Sequence, residues 1–117
     1  MLSLDTPTIT RISSDVQASI QGSVVLECVA VGYPLPDIHW ISTSLSSNSG
    51  YGGSSYYLSY YTTTTASGFI TTRSLLTLSP LVLHDDGIYT CIANNTEGTT
   101  NATVEINVLG EIQAFSG

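Results

Sequence analysis

The chain has 117 residues, of which two are Arg, none is Lys and nine are Asp or Glu, giving a formal net charge of −7. Solubility therefore rests on hydroxyl groups, because 17 Ser and 16 Thr make up more than a quarter of the residues. Two basic side chains cannot neutralise a run of phosphates or hold an anionic lipid surface, which argues against nucleic-acid and membrane-surface partners.

The apolar fraction, 42%, is patterned, which argues against disorder, and the length fits a single domain. The opening MLSLDTPT lacks the basic and long apolar regions of a signal peptide, and residues 1–6 read as an N-terminal extension. The apolar period is near two, and β-branched and aromatic residues dominate, so the chain reads as all-β. After Pro7, a first strand is expected over Thr8–Ser13 and a short piece over Val16–Ala18. Gly22 marks a turn. Ser23–Val31 is the next strand, with Val24, Leu26 and Cys28 on one parity. Pro34 and Pro36 break it, since proline cannot donate to a strand ladder. Asp37–Ile41 follows, with Ile38 and Trp40 turned inward.

The stretch from Ser42 to Gly68 is rich in Ser, Gly, Tyr and Thr and nearly free of charge. Within it, Ser55–Thr65 reads as one or two edge strands of weakly specified register, because both parities carry tyrosines. Strong strand character resumes over Phe69–Leu78, with Leu76 and Leu78 on one face, and Pro80 ends it. Ile88–Asn94 is a further strand. Ala102–Val108 alternates Ala102, Val104, Ile106 and Val108 against Thr103, Glu105 and Asn107. Residues 110–117 read as a linker leading out of the domain. Seven or more short strands within about 100 residues point to an antiparallel β-sandwich.

Two cysteines, Cys28 and Cys91, lie in alternating apolar segments, and neither has a second Cys or a His at metal-ligand spacing. A single disulfide and two free buried thiols are both open on this ground. Two N-x-[ST] sequons favour an oxidising, extracellular setting and so the disulfide. They make Asn94 and Asn101 the expected N-glycosylation sites.

Cys28, Trp40 and Cys91 have the order and spacing of the immunoglobulin superfamily, and the second half of the chain resembles that family more specifically. LTLSPLVLHDDGIYTCIANNTEG is similar to its pattern at Leu76, Leu78, Leu81, Asp85, Gly87, Tyr89, Cys91, Ala93, Asn95 and Gly98. The ending CIANNTEG resembles the I-set, or intermediate, type, and the resemblance covers residues 7–109. It implies a two-sheet immunoglobulin-like β-sandwich with one inter-sheet disulfide, Cys28 to Cys91, and Trp40 packed against it. Leu76 and Leu78 join this core. Tyr89 is placed to form a tyrosine corner with the preceding turn. Gly87 is expected to permit a tight turn that a side chain would obstruct. Asp85 is expected either to accept hydrogen bonds or to meet Arg73. The Trp40 to Phe69 segment departs from the pattern, so an I-set domain with a long C–E region is expected, with a V-like strand set as the alternative.

Nothing resembles a nucleophile elbow or a metal pair, so no catalytic, cofactor or metal residue is assigned. His39 and His84 read as surface or turn residues, and Asp85 and Asp86 as turn carboxylates pointing different ways. Tyr51, Tyr56, Tyr57, Tyr60 and Tyr61 fall within 11 residues among Ser and Gly, the composition of antibody paratopes. They form the candidate protein-binding patch, unless half of them pack inward against the sandwich.

The resemblance implies a non-catalytic recognition module from the extracellular part of a plasma-membrane receptor or adhesion protein. It would bind a protein ligand or a second copy of itself, with a homodimer among the forms allowed, and would make no direct membrane contact. The Lys-free, hydroxyl-rich character is similar to Ig-like domains of invertebrate, sponge-type receptor tyrosine kinases, so the parent chain is free to carry a kinase. The alternatives are a structural spacer domain of a muscle-type protein and a soluble secreted immune-type recognition protein.

Overall fold

The computed structural model describes residues 4–42, 56–64, 68 and 70–110. Eight strands and one 3-10 turn follow one another along the chain: β1 Asp5–Ile12, β2 Val16–Ser19, β3 Val24–Tyr33, β4 Asp37–Ile41, β5 Tyr56–Thr64, β6 Ile70–Leu78, η1 Leu83–Asp85, β7 Gly87–Asn95 and β8 Gly98–Leu109. They form two four-stranded sheets, ordered β1-β3-β6-β5 and β2-β8-β7-β4. The alternating residues of the strands meet between the sheets. Val24, Leu26, Cys28 and Ala30 of β3 face Ile38 and Trp40 of β4, Tyr89, Cys91 and Ala93 of β7, and Val104, Ile106 and Val108 of β8 in one buried cluster. Leu76 and Leu78 of β6 are buried in it.

The sulfur bridge between Cys28 and Cys91 crosses this core, with the two Cα atoms 6.5 Å apart. Trp40 lies directly opposite Cys91 on the neighbouring strand, and its indole Nε1–H donates to Ser74 Oγ at 3.0 Å. Ser74 is itself the β6 partner of Cys28. The bridge, the indole and one buried hydroxyl therefore fasten sheet to sheet at a single level of the sandwich.

The bottom of the sandwich is held by the turn η1. Tyr89 Oη donates to the Asp85 carbonyl at 2.7 Å, the geometry of a tyrosine corner. Asp85 is fully buried, and its Oδ2 accepts the Val82 N–H at 2.9 Å. Asp86 points the other way and accepts the Val108 N–H at 2.7 Å. Gly87 has φ of 142°, yet a Cβ there would meet nothing within 4 Å. Backbone conformation rather than lack of space therefore calls for glycine at this position.

Three strand expectations change. β1 begins at Asp5 and runs through Pro7, because a register shift between Asp5 and Thr8 relieves Pro7 of a ladder bond. β2 pairs parallel to β8, the one parallel contact among the described pairs. The chain leaves the first sheet at Ile12 and continues in the same sense onto the second, where Asp15 Oδ1 accepts the Glu105 N–H at 2.9 Å. The Ser55–Thr65 region forms one edge strand of definite register, with Leu58 opposite Leu76. Leu58 packs against the core. A one-residue slip would swap this lone aliphatic residue for a polar neighbour, which sets the register.

Candidate binding surface

β5 owes its position to β6, with which it pairs antiparallel from Tyr56–Leu78 to Thr64–Ile70. It is the last strand of its sheet, and four of the five predicted patch residues lie on it. Tyr56, Tyr57, Tyr60 and Tyr61 are 45%, 63%, 47% and 51% exposed, so none is packed away. Tyr51 falls outside the described residues. Alternation along the strand puts Tyr57 and Tyr61 on the outer face of the sheet, and Tyr56 and Tyr60 on the parity of Leu58. The inward-parity pair stays wet because the sheet ends there. The Tyr60 phenol is pushed above its ordinary value, first by partial burial and then by the negative charge of Asp37, and remains a neutral hydrogen-bonding group.

The two arginines of the chain share one glutamate on the same sheet, Arg73 on the strand next to the tyrosines. Arg73 Nε donates to Glu27 Oε2 at 2.5 Å, and Arg11 Nε lies 3.9 Å from Glu27 Oε1. Arg73 does not meet Asp85. It projects outward from β6 next to Val29 and Tyr61, whereas Asp85 is buried below the sandwich. The Arg73 guanidinium carbon sits 5.8 Å from the Tyr61 ring centre, a cation–π spacing. These pairs are largely exposed and contribute little to stability. They place two arginines and one glutamate on the outer face of this sheet, with Arg73 directly beside Tyr61.

Both sequon asparagines lie on the other sheet. Asn94 is opposite Thr99, and Asn101 is opposite Ile92. They are diagonal neighbours on the outer face of β7 and β8, Asn101 exposed and Asn94 half-buried. His39 and His84 are exposed.

Two structural residues were given no individual role by the sequence. Ser74, partner of the indole, is one serine among 17. Asn95 appears in the family pattern, but its work is tertiary. Its Nδ2 donates to the Asp5 carbonyl at 2.8 Å and the Pro34 carbonyl at 3.0 Å, while its Oδ1 accepts the Glu97 N–H at 2.8 Å. It thereby ties the start of β1 and the β3–β4 loop to the β7–β8 turn.

Two facing sheets, a buried bridge backed by an indole, and a tyrosine corner define an immunoglobulin-type sandwich. A family model described as an immunoglobulin domain matches residues 6–95, and the chain belongs to that family. It is 36% identical over 112 residues to a leucine-rich repeat and fibronectin type III domain-containing protein 1-like protein of Danio rerio, covering 89% of this chain and 13% of that protein. It is 31% identical over 100 residues to the muscle M-line assembly protein unc-89 of Caenorhabditis elegans, covering 80% of this chain and 1% of the other. Among solved structures, the N-terminal eight Ig domains of Down Syndrome Cell Adhesion Molecule align with a TM-score of 0.67 and 26% identity, covering 92% of this chain and 13% of that one. The chain thus spans a small part of the relatives it matches. No helix among the described residues is long and apolar enough to cross a membrane.

Proposed function

We propose that this chain is an extracellular recognition module of a larger cell-surface protein, of adhesion or receptor type, and that the β5 edge is its protein-binding surface. The observation that carries this reading is the row of four half-exposed tyrosines on one sheet edge, in a chain with almost no charge to use for binding. Tyrosine supplies rigid contact area at low entropic cost, and the Ser and Thr around it supply adaptable hydrogen bonds. The Cys28–Cys91 bridge suits an oxidising compartment, and the likeness to a cell adhesion molecule supports the same setting. Glycans at Asn94 and Asn101 would cover the β7–β8 face and leave β5 open. The domain itself is non-catalytic; a kinase would lie elsewhere in the parent chain.

The test is to stain intact cells of the source organism with the labelled domain. Wild-type protein should bind, and a variant with Tyr56, Tyr57, Tyr60 and Tyr61 all replaced by Ser should not, while melting as wild type does. Equal staining by the two proteins refutes the assignment of the surface.

A second reading, a structural spacer of a muscle protein, is favoured by the likeness to an M-line assembly protein. Thiol labelling of the natural protein without reduction separates the two. Blocked cysteines with sugar at both sequons support the extracellular reading, and two free thiols with bare asparagines support the muscle one.

A further inference from the structure

Among the described residues the two sheets end in four edge strands: β1, β5, β2 and β4. An unprotected edge invites another strand, and proteins blunt edges with brevity, charge, proline or bulges. Three of these edges are blunted. β1 carries Pro7, Asp5 and Arg11 and two register shifts. β2 has four residues. β4 has five and carries Asp37. β5 has none of these protections. It is nine residues long, YYLSYYTTT, without charge, Pro or Gly, and its register against β6 is unbroken. No strand lies outside it among the described residues.

We propose that β5 pairs antiparallel with β5 of a second copy about a two-fold axis, joining two four-stranded sheets into one of eight strands. This rests on the reading of the β5 edge as the binding surface and names its partner. The strand is complementary to itself when reversed, because its first half is rich in tyrosine and its second half is threonine. The register that uses all nine residues puts the axis at Tyr60. Tyr56 then faces Thr64 of the other copy, Tyr57 faces Thr63, Leu58 faces Thr62 and Ser59 faces Tyr61. Apart from the pair on the axis, every tyrosine meets a hydroxyl residue, and aromatic–β-branched pairs are favourable cross-strand neighbours. Each copy carries a charge of −7, but the strip itself carries none, and of the charges beside it the Asp37 carboxylate near Tyr60 is set against the Arg73 guanidinium over Tyr61. Half-exposed tyrosines from both copies plus the strand backbone would bury about 1,000 Å², the low end for a specific contact. The dimer is therefore weak and concentration-dependent, as suits a contact between cells carrying many copies.

Ser59 is next to the axis, and the two Ser59 side chains are diagonal neighbours within reach of long side chains. Sedimentation velocity on the whole chain should show wild type associating as its concentration rises toward about 1 mM. Ser59→Lys and Ser59→Glu should each stay monomeric, and mixing them should restore a dimer. In parallel, hydrogen exchange of wild type should show alternate β5 amides slowing at least ~tenfold with concentration, the mark of main-chain pairing. A wild type that stays monomeric throughout, a Ser59→Lys variant that associates like wild type, or a dimer without added β5 protection each overturns the proposal. A monomeric wild type that still stains cells through its tyrosines would leave the recognition reading standing and remove only the second copy as partner.

Discussion

Replacing Ser74 by alanine tests the account of the core. The Trp40 indole N–H donates to Ser74 Oγ at 3.0 Å from a residue 7% exposed to one that is fully buried. Alanine removes one oxygen and little volume, so the cavity term is small. The indole N–H loses the partner the structure shows, in a site closed to water. Leaving a buried donor unpaired costs about 1–3 kcal/mol, more than the net worth of the bond. For a domain of this size that lowers the melting temperature by roughly 4–12 °C. The chain has one tryptophan, so its fluorescence during urea unfolding reports on this site. The midpoint should fall while the slope stays unchanged. A Trp40→Phe background, followed by circular dichroism, provides the control. With the donor gone, Ser74→Ala should cost less, and the difference should be about 1 kcal/mol or more. A loss under ~0.5 kcal/mol in the wild-type background would mean that the indole is satisfied elsewhere and that the fastening described here is wrong.

Other predictions probe the remaining links. Replacing both Cys28 and Cys91 by alanine should cost about 4 kcal/mol, the loop-entropy value for a crosslink spanning 63 residues; a loss under ~1 kcal/mol would refute it. Asn95→Ala gives up three hydrogen bonds and should cost about 2 kcal/mol, whereas Asn94→Ala should stay within about 0.5 kcal/mol. Equal effects in urea unfolding would contradict the role given to Asn95. Self-association, carried by uncharged residues between copies of like charge, should hold or strengthen as salt rises from about 0.05 to 0.5 M; steep weakening would mean that ion pairs carry the contact.

Much of the fold was legible because its signals are local. Val24, Leu26 and Cys28, and Val104, Ile106 and Val108, alternate strictly, and alternation is what a half-buried strand requires. Tyr89, two residues before Cys91, announces its corner through the resemblance to the immunoglobulin pattern. Where sequence reading fell short, the deciding contact lay in another strand. Asp85 was the partner the sequence offered Arg73, and strand register gave it Glu27 instead. Pro7 looked like a boundary until the bulge in β1 accommodated it. Ser74 looked like any other serine until pairing set it beside Cys28 and under the indole.

The candidate site divides the same way. Clustering of tyrosines and absence of charge over 56–64 are properties of the sequence by itself, and so are the two sequons. Which of those tyrosines would be exposed was not, because β5 alternates tyrosine on both parities and only the end of the sheet keeps the inward pair wet. Nor could the sequence say that Asn94 and Asn101 share one face on the sheet opposite β5, or that β5 is the one edge left unguarded among the described strands. An edge exists only once strands have taken their order, and strand order is set by packing between segments far apart in the chain.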